Sequence, residues 1–201
     1  MAIGLQLLFG LPLLAGVSIS VADTLLLLVL SRYGMRKMEA FILALVATIG
    51  IAFIVELILA KPDGLELVKG FIPSMPNNTA LYIAIGIIGA TVMPHNLYLH
   101  SSLVQTRKID RSLKGIKDAI KFNFIDTFIA LNMALFVNGA ILILAAAAFY
   151  TTGNTEVSEI QDAHKLLENI LGSLAPTLFA IALIAAGQSS TLTGTLSGQI
   201  V

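Results

Sequence analysis

A proline stands in the middle of an apolar run that begins at Leu81, flanked by Met93, His95 and Asn96 and followed by His100. In lipid a helix can break only where its freed backbone groups are buried in protein or line a cavity. The run therefore reads as a membrane helix interrupted at a site. Pro94 has no N–H and disfavours helical geometry at Met93, so the helix arriving from Leu81 is expected to loosen between Ala90 and Met93. A second half-helix can start at Pro94 or His95, because proline suits a first turn. Carbonyls freed around Ala90 would then face the gap as oxygen ligands, and Met93 would add a soft sulfur. A thioether does little for calcium or magnesium and more for softer transition ions, so the mixture favours a transition-metal cation. Packing accounts for the same two residues: proline kinks are common in membrane helices, and methionine often fills gaps. His95 and His100 are five residues apart, which at about 100° per residue puts them on different helix faces. They make a weak bidentate pair.

The rest of the chain supports a membrane setting. Of 201 residues, 57% are hydrophobic and 12% charged, far from the soluble average. The fold class expected is all-α, a polytopic membrane protein. The absence of cysteine removes disulfides, thiolate metal sites and cysteine nucleophiles. Without an aromatic RNA-binding pattern, and with the basic cluster lying between two spans, no nucleic-acid partner is expected. Residues 1–12 lack a charged leader and reach Pro12 too soon to cross about 30 Å of hydrocarbon, so they are expected to make a poor signal peptide and a poor complete span.

The expected spans are 1–12 (partial), 13–30, 41–60, 80–106 broken at 90–94, 122–150 and 174–201, within one transmembrane domain. Asp23 would pair with a neighbouring helix, since a charge in hydrocarbon costs roughly 2.5 kcal/mol or more. Glu56 falls near the far end of its span, within reach of water. Asn77-Asn78-Thr79 fits a glycosylation sequon at Asn77 and carries no weight outside a secretory setting. Asn123, Asn132 and Asn138 read as hydrogen-bond glue between helices, and Asp126 as an interface residue. The stretch 151–172 is a polar loop with Glu156, Glu159, Asp162 and Glu168, and with His164 as a solvated loop residue. Arg32, Arg36, Lys37, Arg107, Lys108, Arg111, Lys114, Lys117 and Lys121 fall in two loops on one side, against Lys61, Lys69 and Lys165 on the other. The positive-inside rule makes loops 31–37 and 107–121 cytoplasmic. Met93 then lies near mid-depth, where inverted-repeat transporters hold substrate.

Two blocks carry a resemblance. Gly89-Ala90-Thr91-Val92-Met93-Pro94-His95-Asn96-Leu97-Tyr98-Leu99-His100, continued to Arg107, resembles the sixth transmembrane segment of the Nramp family of proton-coupled divalent metal transporters. Ala186-Gly187-Gln188-Ser189-Ser190-Thr191 to Val201 resembles that family's transport signature at the end of its eighth segment. The resemblance implies part of a LeuT-like inverted-repeat transporter, this chain covering the end of segment three through segment eight as a fragment. It implies manganese or ferrous iron as the transported substrate, taken up with protons across the plasma membrane, with no cofactor and no enzymatic activity. Ala90 would offer its carbonyl and Met93 its sulfur to the ion, His95 and His100 would serve proton movement or gating, and Gln188 and Asn96 would line the permeation route. The family's first-segment Asp-Pro-Gly-Asn motif, with its acidic and amide ligands, is absent from these residues.

Two other readings stand beside this one. One is a non-transporting membrane module that works with a partner chain supplying the missing helices. The other is an intramembrane serine hydrolase using Ser189 or Ser190 with His95 or His100, although Gly187-Gln188-Ser189-Ser190-Thr191 lacks the second glycine of a nucleophile elbow.

Overall fold

A computed structural model describes residues 1–31, 35–72, 74, 77–153, 157 and 159–200, apart from the side chains of 28–31 and 35–36. Arg32, the Arg36 side chain and Glu156, used above for charge placement, lie outside the described residues. The described residues are all-α, as expected. In order they form α1 (Ala2–Phe9), α2 (Leu13–Ser31), α3 (Met35–Ala60), α4 (Gly64–Lys69), α5 (Asn78–Thr91), α6 (Pro94–Gln105), α7 (Leu113–Ala145) with a π-turn over Ala146–Tyr150, α8 (Ile160–Leu171) and α9 (Leu174–Gly198). Among the described residues, four stretches are long and apolar enough to cross a membrane: Lys37–Ala60, Asn78–Gln105, Leu113–Tyr150 and Leu174–Gly198. Leu13–Leu27 is a shorter apolar helical stretch.

Local chemistry sets several helix ends. Gly10, at φ 67°, closes α1 in the left-handed region that glycine adopts without a Cβ penalty, and its N–H donates to Gln6 O at 2.9 Å. Asp63 caps α4 by accepting from Leu65 N at 2.9 Å, so part of the expected loop 61–79 is helical. Asn77 caps α5 by accepting from Ala80 N at 2.7 Å.

The chain divides into two compact units, Met1–Pro62 with Met133–Leu192, and Asp63–Asn132 with Thr193–Val201. In the first, Ile49, Ala52 and Phe53 of α3 meet Ala140 and Leu144 of α7 and Ala182 and Ala185 of α9 in one apolar core. The alanines let backbones approach closely, which is how membrane helices gain packing where lipid offers no hydrophobic drive. Gly4 shows how tight this becomes, since a Cβ there would lie 2.6 Å from Ile184 Cγ1 and 3.2 Å from Ala180 O. A second cluster joins Ala148 of the π-turn, Leu167 of α8 and Ala175 of α9. The polar loop expected over 151–172 thus contains an amphipathic helix, and His164 is half-buried on it with its ring 6.5 Å from Phe179. The i, i+3, i+4 recurrence of Ile160, His164, Leu167 and Leu171 drives this; the loop's high polarity masked it.

Three further expectations change. Glu56 is fully buried among packed helices, with neither carboxylate oxygen hydrogen-bonded to a described residue, instead of standing open at the end of its span. It sits one turn beyond Ala52 and Phe53, on the α3 face that packs into the core. Asp23 Oδ2 is buried without the expected partner from a neighbouring helix. Asn132 donates to Phe128 O of its own helix at 2.7 Å, and Asn123 Oδ1 is buried without a partner, so neither bonds across helices as expected.

In the second unit, α5 and α6 form the two halves of the broken helix. A short connection then leads into α7, whose helix begins at Leu113 and so takes in much of the stretch expected to be a basic loop. Arg107 Nη2 bridges Asp126 Oδ2 at 2.8 Å and ties the connection to α7, giving Asp126 an ion-pair partner. Ser112 donates to Asp110 through its N–H at 3.1 Å and its hydroxyl at 2.8 Å, which holds the Asp110 carboxyl below the usual carboxylate range.

Candidate ion site at the helix break

The break is two residues long. Val92 (φ −86°, ψ 98°) and Met93 (φ −96°, ψ 106°) are extended, α5 stops at Thr91, and α6 starts with Pro94 in its first turn. In an uninterrupted helix the Ala90 carbonyl would accept from the N–H of residue 94; a proline there has none to give. Val92 N–H still closes α5 on Ile88 O at 3.0 Å, and Asn96 N–H closes the first turn of α6 on Met93 O at 3.1 Å. Between these two bonds the chain presents carbonyl oxygens at the negative end of the α5 dipole, a setting that favours a cation. The Thr91 hydroxyl takes no part, because it donates to Ile87 O of its own helix at 2.8 Å.

Ala90, Met93 and Asn96 are exposed around this break, Met93 at 45%, and His95 is half-buried in the first turn of α6. His100 lies further along α6, exposed, and lines a separate cavity of about 550 Å³ against the start of α7. The structure thus gathers four of the six sequence-derived positions in one seven-residue stretch and sets His100 on another surface. Gln188 belongs to the other compact unit. There it is buried, its Oε1 has no partner, and it lines a cavity of about 480 Å³ that also includes Asp23 and Thr48. Residues 78–106 contain no carboxylate. Among the described residues no group of three or more His, Asp or Glu side chains is placed to hold a metal. The break by itself offers only neutral oxygen and sulfur donors.

The hydroxyl-rich stretch of α9 is regular helix. Thr191 donates to Gly187 O and Ser197 to Thr193 O, each at 2.7 Å, folding these hydroxyls back on their own backbone. Gly187 to Thr191 is continuous α-helix, whereas a nucleophile elbow needs a sharp strand-to-helix turn to present its serine. The hydrolase reading loses its motif here. Glu56, fully buried, and Asp23, half-buried with its Oδ2 enclosed, are what sequence reasoning placed wrongly. The alanine spacing Ala52, Ala140, Ala182 and Ala185 was the available signal that these faces pack.

Comparison with known proteins follows the same lines. Residues 1–201 match the family model described as Nramp, natural resistance-associated macrophage protein-like. The chain is 55% identical over 204 residues to the divalent metal cation transporter MntH of Listeria monocytogenes serovar 1/2a, covering 100% of this chain and 46% of that protein. It is 54% identical over 204 residues to the MntH of a Nostoc species, again covering 100% of this chain and 46% of the relative. Among solved structures, a mutant of the manganese transporter of Eremococcus coleocola superposes with a TM-score of 0.86 at 38% identity, over 99% of this chain and 44% of that one. The same transporter in complex with an aromatic bis-isothiourea substituted compound gives 0.85. The chain spans less than half the length of these relatives.

Proposed function

Because the chain belongs to the Nramp family, we propose that it forms the broken-helix portion of a membrane transporter that moves a divalent transition-metal ion, manganese or ferrous iron, together with protons. The relatives it resembles are named as divalent metal cation and manganese transporters. The observation that carries the reading to residues is the break itself. Pro94 leaves the Ala90 carbonyl without a helical donor, three residues from the exposed Met93 thioether. That oxygen and sulfur pair suits a borderline-soft ion better than magnesium or calcium.

His95 and His100 supply imidazoles, the side chains that change charge near neutral pH, one beside the break and one at the other end of α6. In this reading His95 takes a proton next to the ion and His100 serves the closing of α6. Asn96 and Gln188 offer amide groups to the ion's path. Uptake proceeds inward across the plasma membrane, with the basic residues 107–121 on the cytoplasmic face.

Two neutral ligands leave the double charge of the ion uncompensated, so binding by residues 78–106 alone is expected to be weak. Calorimetric titration of manganese into the purified chain, with magnesium as control, tests the assignment. Manganese-selective heat that disappears in Met93→Ala is the expected result. Equal heats with both ions, or a Met93→Ala variant that binds as before, would remove Met93 from the site. Reconstituted alone in proteoliposomes, the chain is expected not to accumulate manganese. Robust uptake would show that no acidic ligand from other residues is needed.

A further inference from the structure

The cavity beside α6 includes His100, which the transport reading uses, but its other lining residues serve no step of that reading. Val104 and Ile109 form one wall, and Ile116, Ile120 and Phe124 of α7 form another. At about 550 Å³ it falls in the usual size range of ligand pockets, about 300–1,000 Å³. Its position along α7 says where it sits in a bilayer. The apolar stretch Leu113–Tyr150 has 38 residues, roughly 57 Å of helix at about 1.5 Å per residue, against about 30 Å of hydrocarbon. If the basic first turns make up part of the surplus, Ile116 stands at the headgroup level and Thr127 lies deeper in the hydrocarbon.

Charge near its mouth is predominantly positive. Between residues 106 and 121 there are six lysines and arginines against two aspartates. Arg107 is spent on Asp126, whereas Lys108, Arg111, Lys114, Lys117 and Lys121 are exposed and make no ion pair among the described residues. Lys108 adjoins Ile109 in the chain, and Lys117 and Lys121 lie about 60° round the helix from the cavity residues Ile120 and Phe124. Their long stems can lie along apolar surface while the ammonium groups reach the rim. Asn123 Oδ1, buried without a partner, lines the cavity two residues beyond Lys121 and needs a hydrogen-bond donor.

We propose that the α6–α7 hairpin binds an anionic phospholipid, its acyl chain in the cavity, its phosphate among Lys108, Lys117 and Lys121, and a headgroup hydroxyl donating to Asn123. A soluble anion would gain nothing from the hydrocarbon walls, and a neutral lipid nothing from five unpaired cations. Phosphatidylglycerol has the required charge, chain and hydroxyl. The proposal stands without the transport reading, since no metal enters it.

The test uses the purified chain in phosphatidylcholine nanodiscs doped with a photoactivatable lipid carrying a diazirine in its acyl chain, either phosphatidylglycerol or phosphatidylcholine. Crosslinked peptides are mapped by mass spectrometry. Labelling within residues 104–127 should favour the phosphatidylglycerol probe, and Lys117→Gln with Lys121→Gln should lower it by about fivefold per lysine removed. Ala119→Phe, which narrows the cavity, should reduce labelling by both probes. Equal labelling by the two probes in the unaltered chain would overturn the proposal. So would labelling that falls elsewhere, that ignores the lysine changes, or that is replaced by crosslinks to a second copy of the chain.

Discussion

Glu56 and Gln188, in the first compact unit, are enclosed by packed helices, while Ala90, Met93 and Asn96, in the second, stand exposed around a break in their own helix. The glycines show the same contrast. A Cβ on Gly4 would collide with α9, whereas one on Gly86 or Gly89 would meet nothing within 4 Å. In the first unit small residues bring backbones together and polar groups are trapped where the faces close. In the second, proline frees backbone oxygens on a surface that nothing in the same unit covers. In the function proposed above, a site that captures and releases an ion fits the second arrangement.

The largest test of that contrast is truncation in matched pairs. Leu167, 1% exposed between Ala148 and Ala175, should lose about 2–5 kcal/mol on replacement by alanine. Leu97, 70% exposed on α6, should lose no more than about 0.5 kcal/mol. Unfolding in mixed micelles measures both, and similar losses would erase the distinction between the units. Next come the glycines. Gly4→Ala should destabilise by about 1–3 kcal/mol through overpacking, and Gly86→Ala should stabilise α5 by up to about 1 kcal/mol through helix propensity.

Glu56→Met sharpens the picture from inside the packed unit. Removing a buried carboxyl without partners, at similar volume, should raise stability by about 1–3 kcal/mol. A drop in thermal midpoint instead would mean that the carboxyl is satisfied and that enclosure is not its whole story. The smallest effect belongs to the connection in the second unit. Asp110 has its carboxyl lowered by the Ser112 N–H and hydroxyl, so the ordering it contributes is present above its unfolded value and lost as pH falls through the lower folded one. In Ser112→Ala the Asp110 midpoint should move up toward the ordinary carboxylate value, which carbon-detected NMR titration of the side chain reads directly.

Much of this was legible in the residues. Pro94 inside an apolar run predicts the break; α5 ends three residues before it and α6 begins on it. The helix at 160–171 was not, because its apolar positions are diluted by Glu, Asp and Lys and read as loop when counted by composition. The early start of α7 at Leu113 was missed for the same reason: basic residues suggested a connection, while the spacing of Leu113, Ile116 and Ile120 is helical.

By itself, then, the sequence determined the properties that depend on residues close together in the chain. These are the all-α membrane class, the broken helix with Ala90 and Met93 beside it, and the two family motifs, each following from backbone chemistry or local order. Only the tertiary structure decided which polar groups are enclosed. The burial of Glu56, the orphaned Asp23 and Asn123 oxygens, the Arg107 to Asp126 bridge and the cavity between α6 and α7 all depend on which helix face meets which neighbour. Facing is set by packing between segments far apart in sequence, and a hydropathy pattern marks an apolar face without saying what will cover it.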